Sequence, residues 1–297
     1  MKNVYIQRHV IAELNYISVI VTAFDRQEYL PFALDSLVHQ SESNFETILI
    51  TNFDFDLSEY SSLDIKFFVM GGEAGAYYYK GIKESTGNII ALLDDDDWFA
   101  KEKIRTLYEV FEKRVDFYHN ATYLVRDSVV TSRIFGRYIV DFNTSSMAVR
   151  KDLVLPYVEV LRKLRKGQDH FFYFAVLDSK GKIKEAKEIL TYYRIHGNNT
   201  TGIQGTLSVE WLRAYIAQLR EWQEVFTHPK CQASIRNHTK DAEGFLFIRS
   251  NGTLTVSDFI RTSLSYFTQL EYQSLKSLIL IALRRSVQLK KFPFQHK

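Results

Sequence analysis

One cysteine in 297 residues, Cys231, excludes any intramolecular disulfide and any zinc site built on paired cysteines. Proline is scarce at four and glycine at thirteen, which sets aside collagen-like and low-complexity chains. Long apolar runs are missing too: stretches such as Leu278 to Leu283 fall far short of the roughly 18 residues that suggest a membrane span. Residues Met1 to Glu13 lack the basic start, apolar run and cleavage site of a secretory signal. The expectation is a cytoplasmic protein, with peripheral attachment to the inner face of a membrane left open.

What remains is a globular composition, 46% apolar and 25% charged, long enough for one or two domains. The formal charge of +3 conceals an uneven distribution. From Thr206 onward there are 13 Lys+Arg against 7 Asp+Glu, which leaves 25 against 28 before it. This places a boundary near Gly205, with residues 1–205 as one domain and 206–297 as a helical C-terminal region. After Glu271 there is no acid, while Arg284, Arg285, Lys290 and Lys291 accompany an apolar stripe of Leu275, Leu278, Ile279, Ala282 and Leu283. That pattern reads as a basic amphipathic helix, either packed on its own domain or laid on an anionic membrane surface. Nucleic acid is not expected as a partner, because no exposed aromatics interleave with the basic residues.

In the first hundred residues short apolar runs alternate with helical patterns. Tyr16 to Phe24, Phe45 to Thr51, Ile65 to Met70 and Asn88 to Leu93 read as strands, and Glu28 to Gln40 and Glu73 to Ser85 as helices. The alternation predicts an α/β fold with a mainly parallel sheet, in which ligands bind beyond the carboxyl ends of the strands. The loop after the first strand and the run Asp94-Asp95-Asp96-Asp97 both belong at that edge. Four successive carboxylates repel one another and persist where a cation or hydrogen-bond donors offset the repulsion. Oxygen ligands suit Mg²⁺ or Mn²⁺, which take one or two carboxylates and fill the remaining positions with water and phosphate oxygens. The bland alternative is an exposed acidic turn in which Asp97 caps a helix starting near Lys101.

Five segments, taken in order, resemble the inverting glycosyltransferases of family 2, which use nucleotide sugars on a GT-A fold. They are Ser18 to Gln40 (SVIVTAFDRQEYLPFALDSLVHQ), Phe45 to Asn52, Gly81 to Trp98 (GIKESTGNIIALLDDDDW), Gln168-Asp169, and Tyr193 to Asn199 (YRIHGNN). The resemblance spans Asn15 to about Gly205. It implies that Thr22-Ala23-Phe24-Asp25 hold the base and ribose, with Phe24 packed on the nucleotide. Asn52 stands where the family has an acid that reads the base, so a UDP-sugar is the first expectation but the base stays open. Of the acids, Asp96 is implied as the principal metal ligand with Asp94 beside it, and Asp95 as facing ribose or metal-bound water. His196 resembles the late histidine that closes over the diphosphate and joins the metal, and Arg194 faces the same phosphates. Tyr78 stands where the family places an arginine before the second helix, with Lys80 as the candidate substitute. Asp169 matches the acid of the Glu-Asp-like motif, the general base, with Gln168, His170 and Trp98 on the acceptor or diphosphate side. Read alone, Asp169 is equally a helix N-cap.

The implied activity is metal-dependent transfer of a sugar, with inversion, from a nucleoside diphosphate to a hydroxyl of a glycan, lipid-linked or protein acceptor. A non-catalytic binding or scaffold protein on a degenerate version of the fold is the alternative, suggested by Asn52 and Tyr78. A nucleotidyltransferase would need a glycine-rich, arginine-containing first loop, which TAFDRQEY does not supply. His228, Cys231 and His238 are too loosely spaced to read as a metal site.

Overall fold

The computed structural model describes residues 15–126, 129–135, 143–196 and 208–250. The tail helix expected over Leu275 to Lys291 lies outside the described residues.

The first strand, β1 (Ile17–Ala23), is buried at every position except the half-buried Thr22. A β-branched run suits a central strand covered on both faces. Helix α1 (Leu30–Val38) starts two residues later than its apolar pattern suggests, with Pro31 in its first turn, where the missing N–H costs nothing. Its buried face is Leu30, Ala33, Leu34 and Leu37. Strand β2 (Phe45–Thr51), β3 (Ile65–Val69), helix α2 (Ala74–Glu84) and β4 (Ile89–Asp94) complete the alternating part. Strands β3, β2, β1 and β4 lie side by side and parallel.

Beyond β4 the sheet becomes mixed. A two-residue strand β5 (Trp98–Phe99) precedes helix α3 (Lys103–Glu112), then β6 (Phe117–Arg126), β7 (Val129–Phe135) and β8 (Met147–Arg150). Short helices α4 (Lys151–Val154) and α5 (Val158–Leu161) lead to α6 (Gln168–Asp178) and the long β9 (Ile183–Ile195). Strand β8 inserts antiparallel between β4 and β6, β9 runs parallel to β6, and β5 and β7 pair antiparallel with β9 and β6. The mainly parallel expectation therefore describes the first four strands, and a mixed half continues the sheet.

Register sets the edge that matters. Thr22 pairs with Asp94 and Ala23 with Thr51, so the ends of β1, β2 and β4 come level. At the opposite end of the sheet the buried Glu46 accepts hydrogen bonds from Ser18 (2.6 Å), Lys66 (2.8 Å) and the Thr86 hydroxyl (2.7 Å). Burial pushes its carboxyl up, but Lys66, Ser18 and Thr86 outweigh that and hold it at about 2. Gly87 is required there, because a Cβ would lie 2.6 Å from both Ser18 Oγ and the Tyr16 carbonyl.

Two further features bear on the site. Lys103, the first residue of α3, is fully buried; it donates to Asn120 Oδ1 and lies 5.0 Å from the centre of the Phe99 ring. Asn120 donates to Thr191 (3.0 Å), whose hydroxyl donates to the Ser145 carbonyl (3.0 Å). The second feature is the turn between α5 and α6, which is seated on α2: the Gly75 N–H donates to the Leu164 carbonyl at 2.8 Å. A Cβ on Gly75 would come within 2.0 Å of the Leu161 carbonyl oxygen.

The helices α7 (Val209–Val225) and α8 (Pro229–Ser250) follow. The described residues divide into two compact units, one of those up to 196 with 221–235, the other of 208–220 with 236–250. Within the first, Trp222 and Phe226 pack with Phe171 and Phe174 of α6. Cys231 is buried there, its thiol donating to the Phe174 carbonyl and pushed up to about 12 by burial and by Asp178. Within the second, Trp211 stacks on Tyr215 at 4.9 Å and Arg220 pairs with Glu243 at 2.9 Å. Among the described residues no helix is long and apolar enough to cross a membrane.

Candidate active site

The level strand ends assemble one edge. The Asp95 N–H donates to the Thr22 carbonyl at 3.2 Å, which ties the acid run directly to the first loop. In that loop Asp25 has φ 56°, a left-handed conformation that short polar side chains tolerate by local hydrogen bonding. Asn52 supplies the bonds: its Oδ1 accepts from the Asp25 N–H at 2.9 Å and its Nδ2 donates to the Asp25 carboxylate at 2.5 Å. The amide expected at a base thus clamps the loop that would carry the base. Phe24, half exposed, projects beside Tyr77 with ring centres 6.0 Å apart.

The four aspartates have separate surroundings. Asp94 accepts from Tyr78 at 2.7 Å and from Thr144, and its N–H donates to Ser145 Oγ at 3.0 Å. Asp95 and Asp96 share the Arg26 guanidinium, through Nη2 and Nη1 respectively. Asp96 Oδ2 also lies 2.9 Å from His196 Nε2. Asp97 Oδ1 accepts from the Arg194 N–H at 3.0 Å, while its buried Oδ2 makes no hydrogen bond. Asp97 therefore caps no helix, and α3 begins at Lys103 instead.

Electrostatics follow from this crowding. Burial, reinforced by Asp96, raises Asp94, Asp95 and Asp97 above the usual carboxylate range. Burial alone would depress Arg26, but Asp96, Asp95 and Asp94 together raise it. The site is short of positive charge even with Arg26 in place. One oxygen each from Asp94, Asp96 and Asp97 lies within 4.8 Å of the others. An all-oxygen set with an unpartnered buried carboxylate oxygen fits a hard divalent cation such as Mg²⁺ or Mn²⁺. Among the described residues no other group of three or more metal-ligand side chains does so.

Around the acids stands an aromatic wall. Arg194 donates from Nε to the Asp96 carbonyl at 3.1 Å and lies over Phe32 (4.1 Å), Trp98 (5.0 Å) and Tyr29 (5.2 Å). Trp98 stacks on Tyr192, its register partner across β5 and β9, at 5.4 Å. Tyr29 packs on His196 at 4.6 Å.

On the other side Tyr78 meets Phe172 of α6 edge-on at 5.8 Å. Asp169 precedes Phe172 by three residues, nearly one turn, on the same face of that helix. Its side chain is a quarter exposed. Asp169 Oδ1 accepts from the His170 N–H at 2.7 Å and lies 3.1 Å from His170 Nδ1. The helix N-cap is Gly167, so Asp169 sits inside the first turn. Gln168 is buried, donating to the Leu164 carbonyl at 3.3 Å. Lys80 does not replace the missing arginine: it pairs with Glu84 at 2.7 Å over the Phe68 ring.

The structure thus gathers Thr22, Asp94, Asp95, Asp96, Arg194 and His196 into one cluster, while Asp169 lies on α6, the helix whose Phe172 meets Tyr78. Sequence reasoning missed Arg26 and the hydrogen bonds that Tyr78, Thr144 and Ser145 make to Asp94. The only local signal for Arg26 was its place in the first loop beside Asp25.

The sequence profile described as glycosyl transferase family 2 matches residues 18–158. An uncharacterised glycosyltransferase of Haemophilus influenzae is 23% identical over 276 residues, covering 83% of this chain and 94% of its own length. Staphylococcus aureus TarS residues 1–349, solved in complex with UDP-GlcNAc, superposes with a TM-score of 0.58 at 15% identity, covering 89% of this chain and 83% of that one. The mannosyltransferase PcManGT of Pyrobaculum calidifontis, solved with GDP-Man and Mn²⁺, gives 0.55 at 10% identity over 93% and 88%. The fold is that of GT-A glycosyltransferases, and residues 18–158 match the glycosyl transferase family 2 profile.

Proposed function

We propose that this glycosyltransferase is metal-dependent and inverting, and moves a sugar from a nucleoside diphosphate to an acceptor hydroxyl. The observation that carries the reading is the oxygen cluster of Asp94, Asp96 and Asp97 at the end of β4, level with the loop after β1. UDP-GlcNAc on TarS and GDP-Man with Mn²⁺ on PcManGT support a nucleotide-sugar donor, of uridine or guanosine type. Thr22, Ala23, Phe24 and Asp25 would face the nucleoside, Asn52 holding their loop and Asp95 the ribose side. Mn²⁺ or Mg²⁺, held by Asp96 with Asp94 or Asp97 and with His196 close by, would stabilise negative charge on the departing diphosphate. Arg194 adds a cation on that side.

Asp169 is the general base in this reading. Its Oδ1 is engaged by His170, which fixes the carboxylate and leaves Oδ2 to take the acceptor proton. As that proton leaves, the acceptor oxygen bonds to the anomeric carbon and the bond from that carbon to the diphosphate breaks on the opposite face. Trp98, Gln168 and His170 shape the acceptor side, for a glycan, lipid-linked or protein acceptor. Residues 1–205 would carry donor binding and transfer, and 206–297 acceptor or membrane contacts.

Calorimetric titration of UDP and GDP with and without Mn²⁺ tests the donor side. Asp96→Ala should abolish most of the Mn²⁺-dependent affinity; an unchanged titration would refute the assignment.

A further inference from the structure

The turn joining α5 to α6 has the sequence Arg162-Lys163-Leu164-Arg165-Lys166, four cations in five residues. Leu161 and Leu164 are buried, and the Leu164 carbonyl is tied to the Gly75 N–H, so the backbone is held fast while all four cations face solvent. Arg165 pairs with Glu73 at 3.0 Å. Arg162, Lys163 and Lys166 have no carboxylate partner among the described residues. The positive surface extends onto α2, where Lys83 and Arg162 flank the Tyr79 ring at 5.7 and 5.3 Å. Glu159 and Glu73 are the acids of the same stretch, which leaves a basic excess.

Placement gives this excess a meaning. Because Gly75 opens α2, just past the carboxyl end of β3, the turn sits on the rim where the acid cluster lies. Lys166 is three residues from Asp169, a span of at most about 10 Å. The cations are exposed along the turn and do not converge on a buried donor set. That suits many weak contacts with a charged plane better than one bound phosphate. We propose that this turn docks the protein on an anionic lipid bilayer and presents the Asp169 side of the site to it. The docking stands without any role for Asp169; only its consequence, an acceptor held at the membrane, rests on the proposed function.

Flotation of the full chain with phosphatidylcholine vesicles, with and without about one third phosphatidylglycerol, tests it against R162Q/K163Q/K166Q. The wild type should float only with the anionic vesicles, and 0.5 M salt should release it, since the screening length then falls to a few ångströms. At roughly five-fold per cation, the triple variant should partition about 100-fold more weakly. Its UDP–Mn²⁺ titration, which reads the donor side independently, should match the wild type and show an intact fold. A wild type that stays unbound, or a variant that floats equally well, would overturn the proposal; the latter would move any membrane contact to another segment such as the C-terminal tail.

Discussion

Replacing Lys103 by methionine should remove a pH dependence of stability that the wild type carries through its buried amine. Lys103 is completely enclosed, with one neutral acceptor, Asn120 Oδ1, and no carboxylate, and burial lowers its ammonium to about 7. An unfolded lysine titrates near 10.4. Between those values the unfolded chain binds a proton that the folded chain does not. Stability is therefore full above about pH 10 and falls as pH drops, until the loss is complete below about 7. The slope approaches ~1.4 kcal/mol per pH unit, and the cost of Lys103 is about 2 kcal/mol at pH 9 and about 3 kcal/mol at pH 8.

Lys103→Met abolishes this slope at the expense of leaving Asn120 Oδ1 without its donor, a loss of about 1–3 kcal/mol. The two effects nearly cancel near pH 8, so the slope is the diagnostic quantity. Urea unfolding followed by tryptophan fluorescence at pH 7.5, 8.5 and 9.5 measures it. Buried tyrosines such as Tyr78 and Tyr118, raised by burial, titrate in both proteins and drop out of the difference. The wild type should gain on the variant by roughly 2–3 kcal/mol over that range. Parallel stability curves would refute the reasoning and mean that the amine remains ionised inside the fold.

Asp169→Asn should lower transfer by roughly 10²- to 10⁴-fold in steady-state assays while leaving UDP–Mn²⁺ affinity unchanged; near-normal turnover would send the base elsewhere. Gly75→Ala should destabilise by about 1–3 kcal/mol in thermal unfolding, because the new Cβ collides with the Leu161 and Leu164 backbone. Glu46, held at about 2, contributes stability that is present above its unfolded value near 4.3 and lost as pH falls through 2, so Glu46→Gln should flatten the acid limb of a denaturation curve.

The alternating half of the fold was legible because its signals are local. Strand β2 has the predicted bounds, and β1, β3, β4, α1 and α2 agree within two residues. The first strand ends at Ala23 rather than Phe24, because Phe24 turns out of the sheet into solvent. The mixed half gave no such pattern. Strand β9 pairs with β6 from about 66 residues away and is buried only at Leu190 and Thr191, so its composition lacks the apolar run of a central strand. The candidate site divides in the same way. An acid run at a strand end can be read from neighbouring letters, whereas Arg26 meets Asp95 and Asp96 across about 70 residues. Lys103 and the 162–166 turn show the limit from both sides: a lysine in a helix's first turn reads as solvated but is buried, and the turn's basic run is visible in sequence while its seat on Gly75 is not.

Charge balance explains why the departures from the family pattern are compatible with one another. With Tyr78 in the arginine's place, Asp94 is held by two neutral hydroxyls, from Tyr78 and Thr144, and by no cation of its own. Against four carboxylates the immediate cations are Arg26 on Asp95 and Asp96, and Arg194 on the Asp96 and Asp97 side. The carboxylates outnumber these cations, in an enclosed site where their repulsion is poorly screened. Burial, with that excess added to it, pushes Asp94, Asp95 and Asp97 up. An arginine at position 78 would reduce the attraction of this site for any cation. A tyrosine there preserves the excess of carboxylate oxygens gathered from Asp94, Asp96 and Asp97.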